Sequence, residues 1–92
     1  MATTYQLPKW GLTMEEGTIA EQRVLPGAVV KEGEVIGSVE TDKIEIDFNS
    51  PASGVLAAWL VNEGDTIPVG TDVVVIADDE ADYQSYLQGL QV

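Results

Sequence analysis

The chain has 92 residues, 45% of them hydrophobic, enough for one small domain with a packed core and too apolar for a disordered segment. Sixteen acidic residues against four basic ones give a formal net charge of −12, which repels phosphate backbones and argues against a nucleic-acid partner. With no His and no Cys, the usual general base, thiol nucleophiles, disulfides and zinc ligands are missing, so neither a self-contained enzyme nor a metal site is expected.

Taken along the chain, short runs rich in Val, Ile and Thr predict strands at 3–7, 18–24, 28–30, 35–40, 44–48, 55–61, 66–68 and 72–77. Pro-Gly, Glu-Gly and Gly-Asp break them, and glycine supplies turn conformations that other residues adopt only at a cost. "IEIDF" (44–48) alternates strictly, placing Ile44, Ile46 and Phe48 on one face and Glu45 and Asp47 on the other. Many short strands with frequent turns predict an all-β sandwich or flattened barrel. After Ala77, "DDEADYQSYLQGLQV" spaces Tyr83, Tyr86, Leu87 and Leu90 as a helix does, behind acids that suit a helix N-terminus. The expected division is a domain over 1–79 and, over 80–92, a short helix, a tail or the start of a linker. No apolar run approaches the roughly 18 residues of a membrane span. Met1–Trp10 lacks the basic start and apolar stretch of a signal peptide.

The chain also repeats itself. Shifted by 37 positions, "GTIAEQRVLPGAVVKEGEVIGSVE" (17–40) lies over "GVLAAWLVNEGDTIPVGTDVVVIA" (54–77). Gly17, Gly27 and Gly33 fall on Gly54, Gly64 and Gly70, and apolar character matches at Ile19/Leu56, Val30/Ile67, Ile36/Val73 and Val39/Ile76. Carried backward, the same shift sets Leu7 on Ile44 and Gln6 on Lys43. Two halves related by a twofold axis would hold the chain ends at one end of the molecule and Lys43, in the turn after strand 35–40, at the other.

Lys43 is one of only four basic residues, yet it lies in the densest carboxylate stretch, "ETDKIEID" (40–47). Four neighbouring acids hold its amine charged, the wrong state for a nucleophile. An exposed lysine paired with such acids gains only about 0–1 kcal/mol. Presentation of the amine to a modifying enzyme remains as its distinctive use.

Here the sequence resembles the lipoyl domains of 2-oxoacid and acetoin dehydrogenase complexes over residues 4–77. "ETDK" (40–43) matches the lipoylation motif with Lys43 as the modified lysine; Gly27 and Gly54 match the glycines that flank it, and "PKWGLTMEEGTI" (8–19) resembles the opening of pyruvate- and acetoin-type domains. The resemblance implies two four-stranded antiparallel sheets with pseudo-twofold symmetry, a barrel-sandwich hybrid. It implies (R)-lipoic acid joined to Lys43 by a lipoate ligase or lipoyl transferase. Glu40, Thr41 and Asp42, with Gly27 and Gly54, would form the surface that this enzyme recognises.

The arm would take an acyl group and two electrons from a thiamine-diphosphate-dependent first enzyme. It would deliver the acyl group to an acyltransferase core and be reoxidised by a dihydrolipoyl dehydrogenase. The domain itself would catalyse nothing, as one part of a dihydrolipoamide acyltransferase in the cytoplasm of a prokaryote or the mitochondrial matrix. In the loop Pro8–Glu16, Trp10 and Met14 would either contact the first enzyme or pack on Phe48, whereas Trp59 is expected to be packed. Acetoin or pyruvate is the expected substrate type and 2-oxoglutarate the least expected. Two alternatives remain: a biotinyl carrier domain, whose usual Met-Lys-Met differs from Asp42-Lys43-Ile44, and an unmodified interaction module.

Overall fold

The computed structural model describes residues 2–9, 15–41 and 44–89. It contains β1 (Thr3–Gln6), β2 (Glu16–Gln22), β3 (Val29–Val30), β4 (Val35–Thr41), β5 (Ile44–Asn49), β6 (Gly54–Trp59), β7 (Thr66–Pro68), β8 (Asp72–Ala77) and α1 (Glu80–Gly89). All eight expected strands are present, and the C-terminal periodicity resolves into the helix. The strands form two four-stranded antiparallel sheets, ordered β1-β8-β6-β3 and β5-β4-β2-β7.

The repeat is a twofold relation between the sheets, down to individual hydrogen bonds. Thr18 pairs with Glu40 and Ile19 with Val39; 37 residues on, Val55 pairs with Ala77 and Leu56 with Ile76, and both ladders then slip by one residue at the same place. The Gly27 N–H donates to the Leu56 carbonyl at 2.8 Å, and Gly64, its counterpart, donates to that of Ile19 at 2.7 Å. The backward extension of the repeat does not hold. Val39 pairs with Ile46, whereas Ile76 pairs with Thr3, so Thr3 rather than a residue near Trp10 takes the place of Ile46. Gln6 accordingly stands where Asn49 stands, not where Lys43 does. The cause is an insertion: ten residues separate Gln6 from Gly17 but only four separate Asn49 from Gly54. A single shift cannot cross a loop whose length differs between the halves.

Leu7, Ile19, Ile36, Val39, Phe48, Leu56, Val73, Val74 and Ile76 fill the space between the sheets. Fully burying one such aliphatic side chain is worth about 1.5–3 kcal/mol, which supplies the main drive for so small a domain. Trp59 is packed as expected: its ring meets Phe48 edge-on at 6.2 Å, and its Nε1–H donates to the Val24 carbonyl at 2.8 Å. "IEIDF" obeys its alternation with one exception. Phe48 is buried and Ile46 half-buried, but Ile44 is 60% exposed because the hairpin end runs beyond the core.

A second apolar cluster lies on the outer face of the β1-β8-β6-β3 sheet. Val55, Ala57, Val75 and Ala77 are buried there against Ala2, Ala58, Tyr83 and Tyr86, so α1 packs on the sheet instead of leading away from it. This explains why β8 reads as an unbroken apolar run, "VVVIA": both of its faces are covered.

Candidate functional site

The site is built on the hairpin β4–β5. Thr41 pairs with Ile44, so the connection is two residues long and consists of Asp42 and Lys43, which lie outside the described residues. Trp10 and Met14 also lie outside them. Glu40, Glu45 and Ile44 are exposed. At the hairpin end, three described residues beside the connection are thus open to solvent, an arrangement that suits a group carried on a covalent arm and not one enclosed in a pocket.

The topology decides which parts of the chain share that end. β7 pairs Pro68 with Glu16, the Val69 N–H donates to the Glu15 carbonyl at 2.9 Å, and the Gly70 N–H donates to the Leu7 carbonyl at 3.1 Å. The start of β8 and the finish of β1 are therefore at the Glu16 end of β2. That is also the hairpin end, because Thr18 pairs with Glu40. The loop from Leu7 to Glu15 leaves and rejoins the sheets at this same end. Ala2, Ala77 and α1 are at the opposite end, as the twofold argument required.

The two glycines expected in the recognition surface sit away from the hairpin. Gly54 pairs with Val30 and packs so closely on the Ala77 carbonyl that a Cβ would overlap it, and its φ is +156°. Gly27, with φ +98°, lies under the Tyr83 ring of α1, whose hydroxyl is 3.4 Å from where a Cβ would be. Close backbone approach and a positive φ account for both glycines.

The outer face of the β5-β4-β2-β7 sheet carries the charge. Glu40 lies opposite Glu45, and Ser38 lies between Asp47 on one side and Glu21 on the other. Like charges directly opposite are unfavourable, so this row is not selected for stability. The Arg23 Nε is 3.0 Å from the Glu21 carboxylate, which raises the guanidinium pKa, with smaller contributions from Asp47 and Glu45. Ser38 is 1% exposed, and its Oγ has no hydrogen-bond partner among the described residues. Nothing in the sequence marked Ser38; its burial comes from strand pairing. Among the described residues, no group of three or more His, Cys, Asp or Glu is placed to hold a metal ion.

A family profile described as "Biotin-requiring enzyme" and covering biotin/lipoyl attachment domains matches residues 3–76. The chain belongs to this biotin/lipoyl attachment family. Its fold is that of a lipoyl domain: the solution structure of the lipoyl domain of the 2-oxoglutarate dehydrogenase complex from Azotobacter vinelandii superposes with a TM-score of 0.68 at 32% identity, covering 83% of this chain and 96% of that one. Curated relatives include a probable dihydrolipoyllysine-residue succinyltransferase component of the mitochondrial 2-oxoglutarate dehydrogenase complex of Schizosaccharomyces pombe. It is 43% identical over 75 residues, 82% of this chain and 17% of that protein. The acetyltransferase component of the Pseudomonas putida acetoin cleaving system is 37% identical over 79 residues, 86% of this chain and 21% of that protein. The chain spans about a fifth of the length of these relatives. The family match ends at residue 76, so α1 lies outside it.

Proposed function

We propose that Lys43 carries a lipoyl group and that this lipoyl domain serves as the mobile substrate carrier of a dehydrogenase complex. The observation that supports the reading is the hairpin: the motif "ETDK" runs into the β4–β5 connection, beside which Glu40, Ile44 and Glu45 are exposed. Bound there as an amide, lipoic acid supplies a disulfide that accepts an acyl group together with two electrons. The protein's own part is presentation. The β4–β5 ladder sets Glu40 opposite Glu45 and Thr41 opposite Ile44, at the foot of the connection that contains Lys43. Tethering a reactant in this way raises its local concentration to roughly millimolar without tight binding. A thiamine-diphosphate-dependent enzyme, an acyltransferase core and a dihydrolipoyl dehydrogenase are the partners that such a carrier serves, and a lipoate ligase or lipoyl transferase installs the group.

The test is the intact mass of the chain after incubation with lipoate ligase, ATP and lipoate. One lipoyl group is expected on the wild type and none on Lys43→Gln, while biotin ligase leaves the wild type unchanged. Biotinylation, or an equal mass gain by Lys43→Gln, overturns the reading.

For the substrate, relatives are named for 2-oxoglutarate, acetoin and pyruvate complexes alike. The loop "PKWGLTMEE" supports an acetoin- or pyruvate-type partner, with Trp10 as its anchor, since interface hot spots favour tryptophan. Trp10→Ala should slow acylation by an acetoin- or pyruvate-type first enzyme while leaving lipoylation unchanged. Faster acylation of the wild type by a 2-oxoglutarate-type enzyme overturns the substrate assignment.

A further inference from the structure

Counterpart positions of the two halves meet on the twofold axis, and there the surface opens into a groove of about 350 Å3. Leu25 and Pro26, in the turn after β2, line one wall. Asn62 and Glu63, 37 residues on in the turn after β6, line the other, and Gln22 and Trp59 complete the lining. These last two are counterparts, and they bond reciprocally. The Gln22 Nε2–H donates to the Val61 carbonyl at 2.7 Å, and the Trp59 Nε1–H donates to the Val24 carbonyl at 2.8 Å. Each half thus holds the other half's turn, so the walls are fixed before anything binds. Glu40 and Ala77 are counterparts as well. A groove on the axis therefore lies midway between the hairpin end and the end where α1 begins, and a side chain seated in it leaves the hairpin end clear.

Strict symmetry would give both walls one chemistry. Instead Leu25 stands where Asn62 does and Pro26 where Glu63 does, so one wall is apolar and the other polar and acidic. Leu25 is 75% exposed and adds little to the core, and an asparagine serves the same turn in the other half. Glu63 is exposed too. Its Oε2 accepts from the Gln22 N–H at 2.8 Å, but a carboxylate has about four acceptor sites, so most of its capacity remains. Arg23, next along the chain from Gln22, is bonded to Glu21 at 3.0 Å. The groove thus offers an apolar, partly aromatic surface for the stem of a side chain and a carboxylate for a cationic head. A net charge of −12 favours a basic partner in any case. Arginine meets both demands better than lysine. Its guanidinium is planar and weakly hydrated, packs on aromatic faces, and meets a carboxylate through two N–H groups.

We infer that the groove on the axis is a docking site for an arginine side chain of a partner protein. The methylenes lie on Leu25, Pro26 and Trp59, and the guanidinium meets Glu63. On the carrier reading, such a partner holds the domain midway along its length while the hairpin end stays free to present its arm. The groove itself does not depend on that reading.

The experiment titrates the isotope-labelled whole chain with the blocked peptide Gly-Ser-Arg-Ser-Gly, and with Gly-Ser-Gln-Ser-Gly as the neutral control, and follows its NMR shifts. The arginine peptide should shift the Trp59 Nε1–H and the amides of residues 24, 25 and 61–63, and spare those of 38–41 and 44–47, where other carboxylates stand. The glutamine peptide should bind about threefold or more weakly, and the Glu63→Gln protein should lose the arginine peptide to the same degree, because the ion pair is gone while the apolar wall remains. Leu25→Asn, which gives the turn its counterpart's residue and leaves the core untouched, should weaken binding about as much through the lost stem contact. Shifts spread evenly over the acidic surface overturn a built site, and so does wild-type affinity in Glu63→Gln or in Leu25→Asn. Shifts at the groove that depend on concentration when the protein is diluted alone assign it to a second copy and overturn the partner arginine. Wild-type protein that binds the arginine peptide as described, yet gains no lipoyl group from the ligase, overturns the carrier reading and leaves the groove standing.

Discussion

Gly54→Ala separates a folding role from a recognition role at one atom's distance. The family resemblance sets Gly54 among the residues read by the modifying enzyme, whereas the fold places it against the Ala77 carbonyl, away from the hairpin. Gly33 provides the reference. It has φ +89°, yet nothing lies within 4 Å of an added Cβ, so Gly33→Ala should cost only the backbone preference, about 1–2 kcal/mol. Gly54→Ala carries a comparable backbone cost at φ +156°. In addition, its Cβ would overlap a backbone oxygen that cannot swing away as a side chain can. Shifting β8 to relieve that contact strains the Val55–Ala77 pair and the α1 packing beside it, a further 1–3 kcal/mol or so by analogy with an overpacked core.

The expected total is about 3–5 kcal/mol. The whole domain, at roughly 0.05–0.15 kcal/mol per residue, has about 5–14 kcal/mol to lose. Urea unfolding of the wild type, Gly33→Ala and Gly54→Ala, followed by circular dichroism, measures the difference. Lipoylation of each at a temperature where all are folded completes the test. Gly54→Ala should be the least stable of the three and still accept the lipoyl group at the wild-type rate. A destabilisation no larger than that of Gly33→Ala, or loss of lipoylation in a folded Gly54→Ala protein, would refute the structural account.

Ser38→Ala should stabilise the domain by about 1 kcal/mol in the same assay, because it removes a buried hydroxyl that has no partner among the described residues; a loss of stability would reveal a hydrogen bond at that site. Trp59→Phe should cost about 1 kcal/mol through the lost bond to the Val24 carbonyl while keeping the edge contact with Phe48, and a cost above ~3 kcal/mol would mean that the indole also fills core space. The Asp82 carboxylate accepts a 2.8 Å bond from the Asp78 N–H, which holds its pKa below the usual 3.8. A depressed acid stabilises the fold fully above its unfolded pKa and loses that contribution as pH falls through the lower folded value. α1 amide protection should therefore drop below about pH 4, and Asp82→Asn should show the weaker protection already at pH 7; a pH-independent difference between the two proteins down to pH 2 would remove Asp82 from the linkage.

Much of this protein was legible in its sequence because the determining interactions are local or repeated. Short runs rich in Val, Ile and Thr and the turns that break them located all eight strands, since a pleated sheet surface selects β-branched residues directly. The repeat of 37 residues disclosed the twofold relation because each half solves the same packing problem. The turn "TDK" between two strand patterns marked the hairpin, because a strand–turn–strand signal is local in sequence. Other features depend on distant segments meeting. The register of β1 against β8 is set by a loop of different length, so the backward extension of the repeat failed at Gln6. Ile44 keeps the apolar alternation of its strand but lies past the edge of the core, a fact about where the opposite sheet ends. Ser38 is buried by neighbours on two other strands, and no neighbour in sequence foretells it. The run "VVVIA" did record that both faces of β8 are covered, but only the tertiary structure shows that the second cover is α1, because which apolar face meets which helix is decided by packing across the chain and not along it.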